Sequence, residues 1–321
     1  MNIHVGVRVR PLLENEISSS KMEVKTDSGK ITIIKEGVKN DLTPISQKKQ
    51  YPFSSVFGEN IDNNDLFLKF YQPIIEKSFQ KKNSLCFFNF GYTGSGKTYT
   101  MLRPDGIINS LFQWMKRKNN SKIVFSSYEI YQNQVYDLLV NPKNNITEFS
   151  HKQHRSALPC LENRNRHFKI SGATEITLHS STDLKNILNK VVKNRRCGIS
   201  SCNKESSRSH GIFQFSWHGI NISIIDLAGS EKAKTSRYQS SDPVEMQQNA
   251  SINQSLLALK ECIRCMSQKK SHIPFRRSRL TSVLRNFFIS QSQIIFLANI
   301  SPDPKCYSPT INILDYAWMM E

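Results

Sequence analysis

Hydrophobic positions along the chain follow two periods that take turns. Ile3, Val5, Val7 and Val9 alternate with His4, Gly6, Arg8 and Arg10 until Pro11, the two-residue period of a half-buried strand stopped by a residue that cannot donate to a ladder. "SLCFFNF" (84–90) is apolar almost without a break and reads as a strand buried on both faces. Further strands are expected in "KIVFSSYEIY" (122–131), "GIFQFSW" (211–217), "INISIID" (220–226) and "QIIFLANI" (293–300), the last ending just before Ser301-Pro302. Between them the period lengthens. Leu184, Ile187, Leu188 and Val191 keep helical spacing, as do Leu280, Val283, Leu284 and Phe287, and residues 251–266 place Ile252, Leu256, Leu259, Ile263 and Met266 on one stripe. Residues 141–168 are polar and basic with no clear period and read as a surface-loop insertion with room for a hairpin. Strands interleaved with helices predict an α/β layer fold, and neither an internal repeat nor a heptad run interrupts it.

Composition narrows the class. At 321 residues, 38% hydrophobic and 10% aromatic, the chain has the apolar content for one large core, so a single domain over 1–321 is expected. No uncharged apolar stretch approaches the roughly 18 residues of a membrane span, and the N-terminus alternates like a strand instead of resembling a signal peptide. An intracellular protein with no membrane partner is the expectation. Seven cysteines, an odd number scattered through mostly apolar contexts, fit a reducing compartment; Cys262 and Cys265 form a CxxC inside a helical pattern with no second pair, which reads as two helix cysteines before it reads as zinc. Charge changes the picture more. Lys plus Arg number 44 against 26 Asp plus Glu, a net +18, which predicts an acidic polymer or surface as partner without separating nucleic acid, membrane and protein lattice. A lysine-rich and asparagine-rich coding bias would give the same sum. Exposed ion pairs are each worth only about 0 to 1 kcal/mol, so such binding should weaken with salt.

The chemistry lies behind the buried strand. Gly91-Tyr92-Thr93-Gly94-Ser95-Gly96-Lys97-Thr98 fits G-x-x-x-x-G-K-[ST] between a strand and a helix start. In that setting glycines let backbone N–H groups turn toward phosphate oxygens, Lys97 pairs with the outer phosphates and the Thr98 hydroxyl ligates magnesium. A glycine turn serving packing alone is the bland alternative, and the full match in context outweighs it. "IIDLAGSE" ends an apolar strand in Asp226, placed to reach magnesium through water, with Gly229 able to offer its N–H to a γ-phosphate. "NKESSRSH" (203–210) packs Ser206, Ser207 and Ser209 around Arg208; alone it would read equally well as a polar turn.

Taken in order, "RVRP", "GYTGSGKTYTM", "NKESSRSH" and "DLAGSE" are similar to the four nucleotide motifs of kinesin motor domains, and the likeness runs from about Ile3 to Ala317, through "YEIYQNQVYDLL" and "HIPFRRSRLTSVLR". The resemblance implies a P-loop NTPase-type central, mostly parallel β-sheet flanked by helices on both faces, a microtubule-stimulated ATPase activity with ATP and Mg2+, and no nucleic-acid partner. It implies that Arg8, Arg10, Pro11 and the Tyr99 ring cradle adenine. It makes "NKESSRSH" switch I, with Asn203 and Ser206 on the nucleotide and Ser207 on magnesium and near the attacking water, and "DLAGSE" switch II, with Asp226 on the metal side. Arg208 and Glu231 are then the ion pair that closes around ATP. The segment from Lys232 to Arg285 becomes the microtubule-binding face, with Lys232, Lys234, Arg237, Lys260, Arg264, Lys269, Lys270, Arg276, Arg277 and Arg279 as its cations.

"SLLALKECIR" (255–264) resembles the internal-motor kinesins that depolymerise microtubules, whose helix carries Lys-Glu-Cys as at Lys260, Glu261 and Cys262. Those proteins also carry Lys-Val-Asp on a loop near the first strands; Lys39-Asn40-Asp41 keeps both charges and departs at the middle position. Tyr92 stands where kinesins usually have Gln, and Arg277 where they usually have an acidic residue, so altered nucleotide affinity and added charge toward the track are expected. Because "SPTINILDYAWMME" closes the sequence, neither a neck linker nor a coiled coil is expected, and a depolymerase is favoured over a walker. Three readings stay open: an ATP-driven depolymerase on the cytoplasmic or spindle cytoskeleton, a microtubule tether or a walker needing a partner chain, and a nucleic-acid-dependent P-loop ATPase suggested by charge alone.

Overall fold

The structure, a computed structural model, describes residues 2–16, 22–27, 29–38, 44–119, 121–140, 156–163, 168–196, 208–229, 243–290 and 292–321. In chain order its strands are β1 (Asn2–Val9), β2 (Met22–Asp27), β3 (Lys30–Val38), β4 (Pro44–Pro52), β5 (Val56–Phe57), β6 (Leu85–Phe90), β7 (Ile123–Tyr131), β8 (Gln134–Asp137), β9 (Cys160–Glu162), β10 (Phe168–Ile170), β11 (Ile176–Leu178), β12 (His210–Trp217), β13 (Ile220–Asp226) and β14 (Gln293–Ile300). Its helices are α1 (Asn63–Leu66), α2 (Gln72–Gln80), α3 (Lys97–Leu102), α4 (Ile107–Lys118), α5 (Ser181–Arg196), α6 (Pro243–Ser267), α7 (Arg279–Ile289) and α8 (Tyr307–Trp318).

The central sheet runs β11-β7-β12-β13-β6-β14-β1-β5, with β8 added beside β7. Around β6 it is parallel: β13 and β14 flank β6, and β1 joins β14 and β5. The expectation of parallel strands applies to this half. The other half is antiparallel, because His218 and Gly219 both take positive φ, 52° and 75°, and two left-handed residues close β12 onto β13 as a tight hairpin. The sheet is therefore mixed.

Alternation along β6 divides the interior in two. Cys86, Phe88 and Phe90 point to a core shared with β1, β14, α6, α7 and α8, whereas Leu85 and Phe87 point to a second core with α1 through α5. Every position of β6 is buried, as its unbroken apolar run predicted. Four of the five parallel strands, β1, β6, β13 and β14, bring Val9, Asn89, Asp226 and Asn299 to one edge at their C-terminal ends, at the place where such sheets bind ligands.

The strands and helices expected from the pattern are present. α6 begins at Pro243, eight residues before the start expected at 251, and Met246 in this added stretch is exposed. Residues 160–162 and 168–170 form the hairpin that the loop had room for; 141–155 and 164–167 lie outside the described residues. Pattern reading passed over the antiparallel β2-β3-β4 sheet, in which Ile31, Ile33 and Tyr51 are buried while Gln47, Lys48, Lys49 and Gln50 of β4 are exposed. It also passed over the helix leading through α1 and α2. There Phe67–Tyr71 forms a π-helical turn, and the wider turn shifts the apolar positions out of a 3.6-residue period.

Candidate nucleotide site

β6 runs straight into the glycine-rich turn. Gly94 and Gly96 adopt φ of 87° and 102°, left-handed values that favour glycine. Gly91 answers a different constraint: a Cβ there would lie 2.6 Å from the carbonyl oxygen of Asn299, so β14 presses directly on the loop. Lys97 opens α3, is buried, and turns its Nζ back to donate to the carbonyls of Gly91 at 2.9 Å and Tyr92 at 3.0 Å. An ammonium thus sits inside the ring of its own loop, beside whatever the loop encloses.

A polar network holds this ring in place. Asn89 Nδ2 donates to the Lys97 carbonyl at 2.7 Å, and Asn299 Nδ2 donates to Asn89 Oδ1. The Thr100 hydroxyl lies 3.0 Å from Asn299 Oδ1 and accepts from Arg8 Nη1 at 2.8 Å. Arg8 also donates to Asn63 Oδ1 at 2.5 Å and to the Ile61 carbonyl at 3.1 Å. Burial pulls Arg8 below its ordinary pKa, an effect that the nearby Tyr71, Tyr99, Asp105 and Asp62 oppose electrostatically.

Above the loop opens a cleft of about 610 Å³, lined by Arg8, Arg10, Pro11, Thr93, Gly94, Ser95, Gly96, Lys97, Thr98 and Tyr99 from the predicted set, together with Leu13, residues 59–62, Thr100 and Asn299. Its size falls within the range of small-molecule sites. Tyr99 is 48% exposed, with the Arg8 and Arg103 guanidinium carbons 5.6 and 5.0 Å from its ring centroid, an amphipathic platform suited to a flat base. Arg10 Nε donates to the Gly94 carbonyl at 2.8 Å, and its two terminal nitrogens clasp Glu16. That fork holds the Glu16 carboxyl below the usual carboxylate range.

Two residues expected on the nucleotide spend their side chains on the protein. Arg8 lines the cleft, but its nitrogens are engaged with Asn63, Thr100 and Ile61, so it sets the walls in place instead of reaching freely for adenine. Tyr92 turns its ring away, 4% exposed, and its oxygen accepts the Ser301 N–H at 3.1 Å; burial pushes its phenol well up. The Tyr92 side chain therefore ties the loop to the segment before α8, and only its carbonyl meets Lys97.

On the strand beside β6, Asp226, at the end of β13, stands in register with Asn89. Its Oδ2 accepts from Arg195 Nη1 at 3.0 Å, both side chains being 2% exposed, while Oδ1 is buried with no hydrogen-bond partner among the described residues. An orphaned carboxylate oxygen of this kind fits an acceptor for metal-bound water. Arg195 also donates to the Ser209 carbonyl at 3.1 Å, and a Cβ on Gly211 would meet its Nη1 at 2.7 Å. Gly229 is described and buried; Asn203, Ser206, Ser207 and Glu231 lie outside the described residues. Arg208 Nη1 donates to Gln248 Oε1 of α6 at 3.0 Å.

His210 is 2% exposed; its Nδ1 accepts from the Ala228 N–H at 3.0 Å and its Nε2 lies 2.7 Å from Ser255 Oγ. Burial, with Arg195 and Lys97 adding repulsion, pulls its pKa down to about 3. The native ring therefore refuses a proton that the unfolded chain accepts from about pH 6.5 downward. Stability should fall as pH drops through the window from about 6.5 toward 3. Urea unfolding at pH 7 and pH 5 would show a smaller pH difference for His210→Gln than for the unsubstituted chain.

On the expected track face, Arg264, Lys269, Lys270 and Arg276 are exposed and Lys260 half-buried on α6 and the turn that follows. Arg279 packs its guanidinium 5.9 Å from the Phe168 ring. Cys262 is 0% exposed and belongs to the core, so it is corrected from a contact residue to a packing one. Glu261 is ion-paired with Arg277, which turns Arg277 from an added free charge into a local counter-ion. Lys39, Asn40, Asp41, Lys232, Lys234 and Arg237 lie outside the described residues. Sequence reading missed Asn63, Asn89, Arg195, His210 and Asn299. The available signal was a lone asparagine inside each of two otherwise apolar strands, "FFNF" and "LANI".

A family model, Kinesin motor domain, matches residues 8–321. Kinesin-like protein KIF24 of Mus musculus is 37% identical over 335 aligned residues, which take in 98% of this chain and 23% of that protein. Kinesin-like protein KIN-13A of Oryza sativa subsp. japonica is 34% identical, across 98% of this chain and 40% of the relative; the chain thus spans well under half the length of both. Among solved structures, the motor domain of the kinesin-like protein KAR3 of Saccharomyces cerevisiae matches with a TM-score of 0.75 at 29% identity, covering 100% of this chain and 99% of that one. A KIF14 fragment with ADP in complex with a microtubule matches with a TM-score of 0.81 at 26% identity, covering 100% and 96%. With the described parts of its motifs at one sheet edge and the family model spanning nearly its whole length, this chain belongs to the kinesin motor-domain family.

Proposed function

We propose that the chain hydrolyses ATP when bound to microtubules and uses the cycle to remove tubulin from filament ends. The observation that carries the enzymatic part is the loop and its neighbour: Lys97 buried in the loop ring at the foot of the cleft, with Asp226 ending the adjacent strand and Gly229 three residues beyond it. Thr98 and Asp226, with Ser207, would hold Mg2+, which when bound neutralises phosphate charge during transfer. Lys97 and the loop N–H groups orient the phosphates, Tyr99 and Pro11 take the base, and Gly229 with Arg208 and Glu231 reads the γ-phosphate. Exposed cations of α6 and the following turn supply a salt-sensitive attraction to an acidic lattice. End removal rests on the resemblance of Lys260-Glu261-Cys262 and Lys39/Asp41 to depolymerising kinesins and on the likeness to KIN-13A.

A tether is the second reading, and one observation favours it. Of Lys260, Glu261 and Cys262, the cysteine is buried and the glutamate is paired with Arg277, which leaves Lys260 to carry the contact. Surface-fixed fluorescent stabilised microtubules separate the two. With ATP the ends should shorten, and with a non-hydrolysable analogue they should not. Decorated filaments of constant length under both nucleotides would overturn end removal and leave the tether.

A further inference from the structure

Residues 208–210 lead out of the expected switch I into β12, and within three residues they fasten to α6 twice. Arg208 reaches Gln248, and His210 reaches Ser255. Gln248 and Ser255 are seven residues apart, two helical turns, and so lie on one stripe. Gln248, Ser255 and His210 are all buried.

The tautomer of His210 follows from its neighbours. A backbone N–H can only donate, so Nδ1, 3.0 Å from the Ala228 nitrogen, must accept. The ring proton then sits on Nε2 and points to Ser255 Oγ. Ser255 spends its own proton on the Ile252 carbonyl at 2.7 Å, inside α6. Three hydrogen bonds thus run in one direction, from the Ala228 amide through a rigid ring to the backbone of α6. Ala228 immediately precedes Gly229. A shift of that peptide cannot be absorbed inside an imidazole, which has no internal torsion.

We infer that His210 is a positioning residue that passes the state of the γ-phosphate from the Ala228-Gly229 backbone to α6 through Ser255. This rests on the reading of Gly229 given under the proposed function. A merely well-satisfied core histidine would need the same bonds but would not make α6 respond to nucleotide.

Hydrogen exchange across α6, measured on the whole chain with ADP and with a non-hydrolysable ATP analogue, tests the link. In the unsubstituted chain the two nucleotides should give different α6 protection. Ser255→Ala should shrink that difference at least about fivefold, the lower end of typical coupling between sites, while analogue affinity stays unchanged. Ser255→Thr keeps the hydroxyl and should keep the difference. His210→Asn places an amide oxygen near the Nδ1 position and loses the reach to Ser255, so it should behave like Ser255→Ala, and combining the two should add nothing further. A full nucleotide response in Ser255→Ala would overturn the inference. So would loss of response in Ser255→Thr to the same degree, or an α6 that ignores nucleotide in the unsubstituted chain. Phosphate release on microtubules, followed in parallel, reports on the enzymatic reading separately, because the exchange comparison needs neither hydrolysis nor filaments.

Discussion

Lys97→Ala is expected to weaken ATP binding about a hundredfold and to abolish microtubule-stimulated phosphate release. Two roles end with that one ammonium. The first is charge: hydrogen bonds to ionised groups contribute roughly 1.5 to 3 kcal/mol, and the lysine of such a loop faces the most heavily charged end of the nucleotide. The second is shape. Nζ spans the carbonyls of Gly91 and Tyr92, so its removal leaves two oxygens facing each other and the incoming phosphates. Fluorescent-nucleotide titration would measure the loss. Lys97→Arg should not restore binding, because a planar fork does not fit a ring closed around a compact charge. Affinity retained within a few-fold in Lys97→Ala would mean that the backbone N–H groups alone hold the phosphates, and would remove the lysine from the mechanism.

Arg195→Ala carries the largest expected cost in stability, about 3 to 5 kcal/mol, because it strands the Asp226 carboxylate in a buried setting without its counter-charge. Packing adds to this, since the Gly211 backbone lies directly against the guanidinium. The informative comparison is the double substitution Arg195→Met with Asp226→Leu. Removing both charges together should cost less than removing the arginine alone, because no uncompensated ion is left behind. Urea midpoints for the single and double variants at pH 7 would decide. Equal losses would show that the site is held by shape alone and that the ion pair contributes nothing of its own.

How much of this was legible in the sequence depended on the kind of signal. The parallel strands and the loop that follows β6 were readable because a fully apolar run ending in glycines admits few alternatives. The direction of the Tyr92 ring was not legible: a motif fixes the backbone route, not the direction of a side chain whose hydroxyl finds Ser301, distant in sequence. Cys262 was misassigned for a similar reason, since a resemblance transfers residue identity without burial. Arg195 left no local signal, and His210 closed a quoted motif without a role of its own, because each becomes meaningful only through elements folded beside it, β13 for the one and α6 for the other. Asn89 and Asn299 could have been found, as a lone amide in a strand buried on both faces must bond to something.

The network that joins Arg8, Asn63, Thr100, Asn299 and Asn89 has a mechanical meaning. It welds the phosphate loop to β1, β6, β14 and the first helix, so that half of the cleft acts as a stator. Across the gap, the strand ends of β12 and β13 are connected to α6 by a handful of side-chain links. Strain raised by a terminal phosphate would therefore meet stiff walls on one side of the pocket and, on the other, the few links to α6, so that a push equal in all directions would still be answered unequally.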